Sequence, residues 1–292
     1  MNSRKDSLFF ILLIIAMVSW GVSWTSAKIM GQYIDPITAI FTRFIVASIT
    51  FIPLFPLLKQ SISLSRISVK TVVICSAILA LYNYCFFTGT KLGLAGAGGV
   101  LVTTTNPIVT MGLMAIINNR KLTLKEIVGI FTGLVGGCFI INIWGLGIEQ
   151  IFQSGNIYFI LCAIIWAVLT ILISKSVDKS ESINFTFCMY IGTALLMIPF
   201  VKFENMMVLT TVDSLFWIHF FIVSIAALTF GTTTYFVASQ HLGPEKTSSF
   251  IFTVPISAML TSMILLHETL KISTLIGCCL TIFAVLIINR KT

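Results

Sequence analysis

Along the chain, apolar residues come in runs of about twenty separated by short polar joints, and about twenty is the number of residues a helix needs to cross ~30 Å of hydrocarbon. The pattern predicts ten membrane-spanning helices, near 8–28, 35–58, 70–90, 97–117, 123–143, 156–176, 183–203, 215–238, 246–266 and 272–290. The joints leave no room for a soluble domain, so the predicted class is an all-α integral membrane protein.

Two of these runs are interrupted in the same way. In "TTTNPIVTMGLMAIINNRKL" Pro107 stands inside span four, and in "TVPISAMLTSMILLHETL" Pro255 stands inside span nine. Pro107 precedes Leu122 and Gly129 by the same intervals at which Pro255 precedes Leu270 and Gly277. Trp20 is matched by Trp166, Pro53 by Pro199, and Leu92-Gly93 by Leu242-Gly243. The chain therefore divides into repeats at 1–145 and 146–292, each of five spans. Five is odd, so the second repeat enters the membrane from the opposite side, which is the geometric basis of alternating access in secondary transporters. Each proline removes an N–H and disturbs the bond to the carbonyl four residues before it, that of Thr103 or Ile251. Such backbone needs protein, hydroxyls or water to satisfy it at membrane depth, and the "TTTN" side chains offer hydroxyls. A kink that merely fits a helix to its bundle and a kink that aims Thr103 and Asn106 into a central path are both open.

Composition strengthens the membrane assignment: 57% of the 292 residues are hydrophobic and 10% charged, with a mean hydropathy of +1.04. The net charge of +8 points to topology and not to nucleic acid. With the N-terminus in the cytoplasm, inner segments collect Arg4, Lys5, Lys59, Arg66, Lys70, Arg120, Lys121, Lys125, Lys175, Lys179, Lys246, Arg290 and Lys291, while outer ones hold Lys28, Lys91, Lys202 and Lys271. By the positive-inside rule both termini are expected in the cytoplasm. The basic, apolar N-terminus lacks a small-x-small cleavage site and reads as a retained first helix. The seven cysteines fall within spans without a Cys-x-x-Cys pair, so packing thiols are expected and no metal or organic cofactor.

The segments "WGVSW", "TRFIVASI", "KLGLAGAGG" and "NPIVTMGLMAIINNRKLTLKEIVGIFTGLVGG", with the second-half copy "HLGPEKTSSFIFTVPISAMLTSMILLHETLKISTLIGCCL", resemble the EamA family of the drug/metabolite transporter superfamily over nearly the whole chain. The resemblance implies a multi-pass protein of a bacterial inner (plasma) membrane, here expected as a monomer, that exports an amino-acid-like or drug-like metabolite. One departure stands out. The family's Gly-Glu turn after span four is "NNRKL" here, whereas "HETL" keeps the glutamate in the second half, so the first-half loop is expected to lack that glutamate's polar anchoring.

Among candidate site residues, Arg43 is the one clear ionisable group within a span, where burial costs at least ~2.5 kcal/mol. Snorkelling to the outer face or bracing of helix ends competes with contact to a substrate carboxylate or phosphate; the family often carries Arg there. Trp20 and Trp24 share a helix face, and Trp166 stands in the centre of the matching span. With Tyr82 and Tyr235 they form a candidate aromatic wall for an amphipathic solute, against the alternative of plain packing. Asn83, Thr103 and Asn106 complete a polar corner with Arg43, or else act as interhelical glue worth ~0.6 kcal/mol. Gly129, Gly133 and Gly137 predict close packing of spans five and ten as scaffold. Glu268, His267 and His219 are expected at solvated outer ends.

No Asp or Glu falls mid-span, which excludes a buried-carboxylate proton antiporter. A membrane-embedded enzyme acting on lipid-linked substrates needs clustered carboxylates or a nucleophile with a base. The inner loops offer only scattered Glu126, Asp178, Glu181 and Glu245. A channel lacks its polar rings. A secondary transporter of a small organic solute is the function expected, with the lipid bilayer as surroundings and no nucleic-acid partner.

Overall fold

The computed structural model describes residues 3–63, 67–142, 144, 154–177, 181–242, 247, 250–269 and 271–289. The expected repeat boundary at 145–146 lies outside them, as do Gly243, Leu270, Asp178 and Glu245. The described residues are helical, with α1 Ser3–Met30, α2 Pro36–Phe51, α3 Val69–Leu92, α4 Ala95–Ile117, α5 Leu124–Ile140, α6 Asn156–Ser176 and α7 Ser182–Met197. α8 is composite, running through Ser214–Phe221, a π-helical stretch Ile222–Thr232 and Thr233–Leu242; α9 (Thr253–Leu266) and α10 (Ile272–Asn289) follow. Among these residues seven helical stretches are long and apolar enough to cross a membrane, and Thr253–Leu266 and Ile272–Ala284 are shorter apolar helices. The protein is thus a multi-pass membrane protein.

Polar residues at the helix starts supply acceptors where backbone N–H groups have no partner within the helix. Asp35 receives Ile37 N and Thr38 N at 2.9 and 3.2 Å before α2, and Asp213 receives Phe216 N at 3.0 Å before α8. Thr123 and Glu126 form a reciprocal capping box at α5. Leu94 cannot cap α4, and its partner comes from the far end of the sequence, as described below.

Packing partners are exchanged pairwise between the halves. α1 packs on α9 as α6 packs on α4; α3 packs on α6 as α8 packs on α1; α2 lies against α7, and α5 against α10. The α5–α10 pair is the expected scaffold, but its stripe is Gly129, Gly133 and Gly136, with Gly137 off the seam. A Cβ on Gly137 would meet only Leu101 at 3.7 Å, whereas one on Gly277 would lie 2.5 Å from the Gly136 carbonyl. Spacing of four then three follows the 3.6-residue turn more closely than two fours do.

The matched prolines are not matched in structure. Pro107 lies inside the unbroken helix α4. Pro255 is the third residue of α9, after a 3₁₀ turn at Phe250–Phe252, and in a first turn no helical N–H is needed. Within the expected span nine, Pro255 thus stands in the first turn of α9, whereas Pro107 stands in the interior of α4.

Candidate functional site

Arg43 lies two turns into α2, beyond the Asp35 cap, and is 5% exposed. Its Nη1 donates to Asn83 Oδ1 at 2.5 Å, and Asn83, 1% exposed on α3, is itself held by Nδ2 donating to the Leu79 carbonyl at 2.8 Å. The guanidinium carbon lies 5.8, 5.6 and 5.6 Å from the ring centres of Phe44, Phe86 and Phe87, within cation–π range. Arg43 Nε has no hydrogen-bond partner, and Arg43 makes no ion pair among the described residues. The side chain does not snorkel outward. A permanent cation is enclosed by rings and one amide, and part of its donor capacity is unused.

The expected aromatic residues gather in two groups. Tyr82 lies 4.9 Å from Trp166 and 6.3 Å from Phe86, while Trp24 meets Phe86 edge-on at 4.7 Å. Phe86 therefore links Tyr82, Trp24 and Trp166 to the Arg43 enclosure. Trp20 stands apart with Tyr235, ring centres 5.6 Å apart. Each of the matched tryptophans, Trp20 on α1 and Trp166 on α6, thus pairs with a tyrosine on the matching helix, α8 or α3.

Trp20 also touches a feature that no sequence pattern announced. Its indole N–H donates to the Ala227 carbonyl at 2.8 Å, inside the π-helical stretch of α8. A Cβ on Gly231 would sit 2.6 Å from Trp20 Nε1, so glycine there makes room for the indole. Wide π-helical turns within α-helices are frequent at functional sites.

The four-residue polar corner is only half assembled. Arg43 and Asn83 meet, but Thr103 donates to the Gly99 carbonyl at 2.6 Å, and Asn106 donates to the Ala163 carbonyl of α6 at 3.3 Å. α4 packs chiefly on α6 and α9, so its polar face is turned from α2. Nor do the "TTTN" hydroxyls satisfy the carbonyl freed by Pro107. Thr103 and Thr104 instead bond back to Gly99 and Val100, one turn earlier, and Thr105 Oγ1 has no partner.

The expectation of solvated outer residues is overturned at two positions. His219 is 5% exposed, its Nδ1 2.9 Å from Ser26 Oγ. Glu268 is 8% exposed and pairs with Lys28 Nζ at 2.7 Å. The carboxylate also accepts from Ala95 N and Gly96 N at 2.9 and 3.1 Å, which supplies the missing cap of α4. A lysine in the last turn of α1 and the lone acidic residue of "HETL" were the available signals, but their separation of 240 residues hid the pairing. At the other hairpin, Arg120 meets Glu126 through two 2.8 Å bonds. The "NNRKL" loop is therefore anchored after all, by its own neighbour. Among the described residues no three His, Cys, Asp or Glu side chains come together to hold a metal.

Comparison with known proteins agrees with this architecture. Residues 8–142 and 153–290 each match the EamA-like transporter family. A Bacillus subtilis protein named uncharacterized transporter YvbV is 24% identical, over 97% of this chain and 92% of its own length. An Archaeoglobus fulgidus uncharacterized transporter is 24% identical over 100% of this chain and 99% of its own. A solved crystal structure with 16% identity shares the fold at a TM-score of 0.63, over 97% of this chain and 96% of that one. With the family matched once in each half of a multi-pass helical chain, the protein belongs to the EamA-like transporter family and is a membrane transporter.

Proposed function

We propose that the protein is a secondary transporter that moves a small organic solute by alternating access, with ten spans arranged as two inverted five-helix halves, 1–145 and 146–292. The observation that carries this is the pairwise exchange of packing partners, in which each helix of one half contacts what its counterpart contacts in the other. Two interchangeable halves around a shared interior are what alternating access requires. The charge asymmetry supports cytoplasmic termini in a bacterial inner membrane.

The solute has an apolar body and an anionic group, amino-acid-like or drug-like. Tyr82, Trp24 and Trp166 supply a face for the apolar part, with Trp20 and Tyr235 as the equivalent surface of the other half. Arg43, oriented by Asn83, supplies the charge, and its uncommitted Nε can complete a two-point contact with a carboxylate. Asn106 and Thr103 join this surface once α4 and α6 shift, because Asn106 now spans between them. Export from the cytoplasm is the proposed direction.

Purified protein in lipid vesicles, loaded with a mixture of aromatic acids, amino acids and their neutral amides, tests the reading. Mass spectrometry should show at least one amphipathic anion leaving more than tenfold faster than from protein-free vesicles. Release of the amides at the same rate as the acids would remove Arg43 from recognition, and no release at all would count against transport of this solute class.

A further inference from the structure

The two ends of the bundle are closed by different chemistry. At one end Glu268 gathers three parts of the chain. Its carboxylate takes Lys28 Nζ from the last turn of α1 and the first two N–H groups of α4. Lys28 Nζ in turn donates to the carbonyl of Gly93, at the α3–α4 junction, at 2.7 Å. The Glu268 side chain is 4% exposed and that of Lys28 23%, so the pair is largely withdrawn from water.

The matching place at the opposite end can be identified from the backbone. The intervals that align Pro107 with Pro255 align Asn119 with His267 and Arg120 with Glu268. Asn119 and His267 both adopt the left-handed conformation, at φ 47° and 52°, as the correspondence of the two turns requires. Lys175, in the last turn of α6, lies one residue past the position that the Trp20–Trp166 match assigns to Lys28. There the acidic position is filled by a cation, and Arg120 turns to Glu126 in its own hairpin. Among the described residues Lys175 meets the neutral amide oxygen of Asn118, at 3.4 Å and exposed.

Resting on the transporter reading above, we propose that Glu268, through Lys28 and the start of α4, is the latch that holds its end of the solute path shut. The transporter accordingly rests with the opposite end, where Arg120 replaces the glutamate, as the one that opens more readily. Opening the Glu268 end separates an ion pair and uncovers two N–H groups of α4 at once, and a buried pair with one member removed leaves an uncompensated charge. Among the described residues of the opposite end, the neutral Lys175–Asn118 contact carries no comparable demand. In the proposed topology Lys28 lies at the outer end, so solute loads from the cytoplasm.

Hydrogen–deuterium exchange of the full chain in lipid nanodiscs tests the latch. Glu268→Gln and Lys28→Met should each raise exchange more than tenfold across 24–30 and 95–103 together, since the end opens as a unit. Glu126→Gln, which breaks the ion pair at the other hairpin, should leave those segments unchanged. Faster exchange confined to Ala95 and Gly96 in Glu268→Gln, with Lys28→Met unaltered, would reduce Glu268 to a helix cap and overturn the proposal. Should Glu268→Gln fail to fold, Lys28→Met decides, because it keeps the cap and removes the charge together with the Gly93 contact. The vesicle assay of the unmodified protein judges the transporter reading separately, so failure of one is not mistaken for failure of the other.

Discussion

Replacing Asn83 by leucine isolates what the Arg43 enclosure is for. The substitution removes the acceptor now 2.5 Å from Arg43 Nη1 and leaves the guanidinium facing three phenyl rings with Nε already unpartnered. A hydrogen bond to a charged group contributes about 1.5–3 kcal/mol, and the ring contacts, ~0.5–2 kcal/mol, remain. Asn83→Leu is therefore expected to destabilise by about 2 kcal/mol. Arg43→Met alone strands the Asn83 amide oxygen at a cost of about 1–3 kcal/mol. The double variant Arg43→Met/Asn83→Leu removes charge and acceptor together, and apolar replacement of a buried polar pair is often neutral. Denaturation of the three variants in one detergent should therefore give a double variant more stable than either single one, a coupling of about 1.5–3 kcal/mol. Vesicle transport by the double variant should nevertheless fall roughly ten- to a hundredfold, since every 1.4 kcal/mol of lost contact is tenfold. Additive destabilisation would falsify the pairing, and normal transport by a stable double variant would show that the guanidinium does not recognise the solute.

Trp20→Phe keeps the ring against Tyr235 but strands the Ala227 carbonyl, a loss of about 1–3 kcal/mol. Gly231→Val, which would crowd the indole Nε1, should cut transport more than tenfold, and wild-type rates for both would detach the π-helical stretch from transport. Asp213 is held below the usual carboxylate range, first by the Phe216 N–H and also by Tyr33. A lowered folded pKa gives stability that is complete above the ordinary value of about 3.9 and fades as pH falls through the lower one. Melting curves of wild type and Asp213→Asn should accordingly differ at pH 6 and approach one another as pH falls below the ordinary carboxylate range, and a gap that persists in strong acid would sink the assignment. Reporter fusions at Gln150 and Lys291 should read outside and inside respectively; both on one side would remove the inversion.

Helix positions were legible because hydrocarbon accepts few alternatives to a helix, and the apolar run lengths reported them directly. Arg43 was legible for the same reason, as a charge where none is cheap. Its partner Asn83 was named for polarity, but the meeting of α2 with α3 depends on packing that no local pattern encodes. Thr103 and Asn106 failed to reach Arg43 because α4 rotates toward α6 and α9, an angle that spacing along one helix does not fix. Glu268 was misread because an acidic residue near a helix end is usually hydrated, and only the fold brings Lys28 and the bare N–H groups of Ala95 and Gly96 to it. The π-helical stretch had no signature at all, and its contact with the Trp20 indole comes from a helix distant in sequence.

Symmetry in the packing and asymmetry in the chemistry belong together. Helix contacts obey the exchange between halves, and the proposed alternating access draws on that exchange for two related arrangements. The residues that depart from the exchange are those that bear charge or disturb backbone: Pro107 within α4 against Pro255 at a helix start, Arg43 without a cationic counterpart in α7, and Glu268 against Arg120. A perfectly symmetric carrier would favour neither arrangement and would bind its solute equally in both orientations. Each departure adds a difference between the two ends or the two halves without altering the helix packing that both arrangements share. Under the proposed alternating access, the bias between the arrangements would be set by a few polar groups on a common frame, and the groups to substitute are those whose counterparts differ.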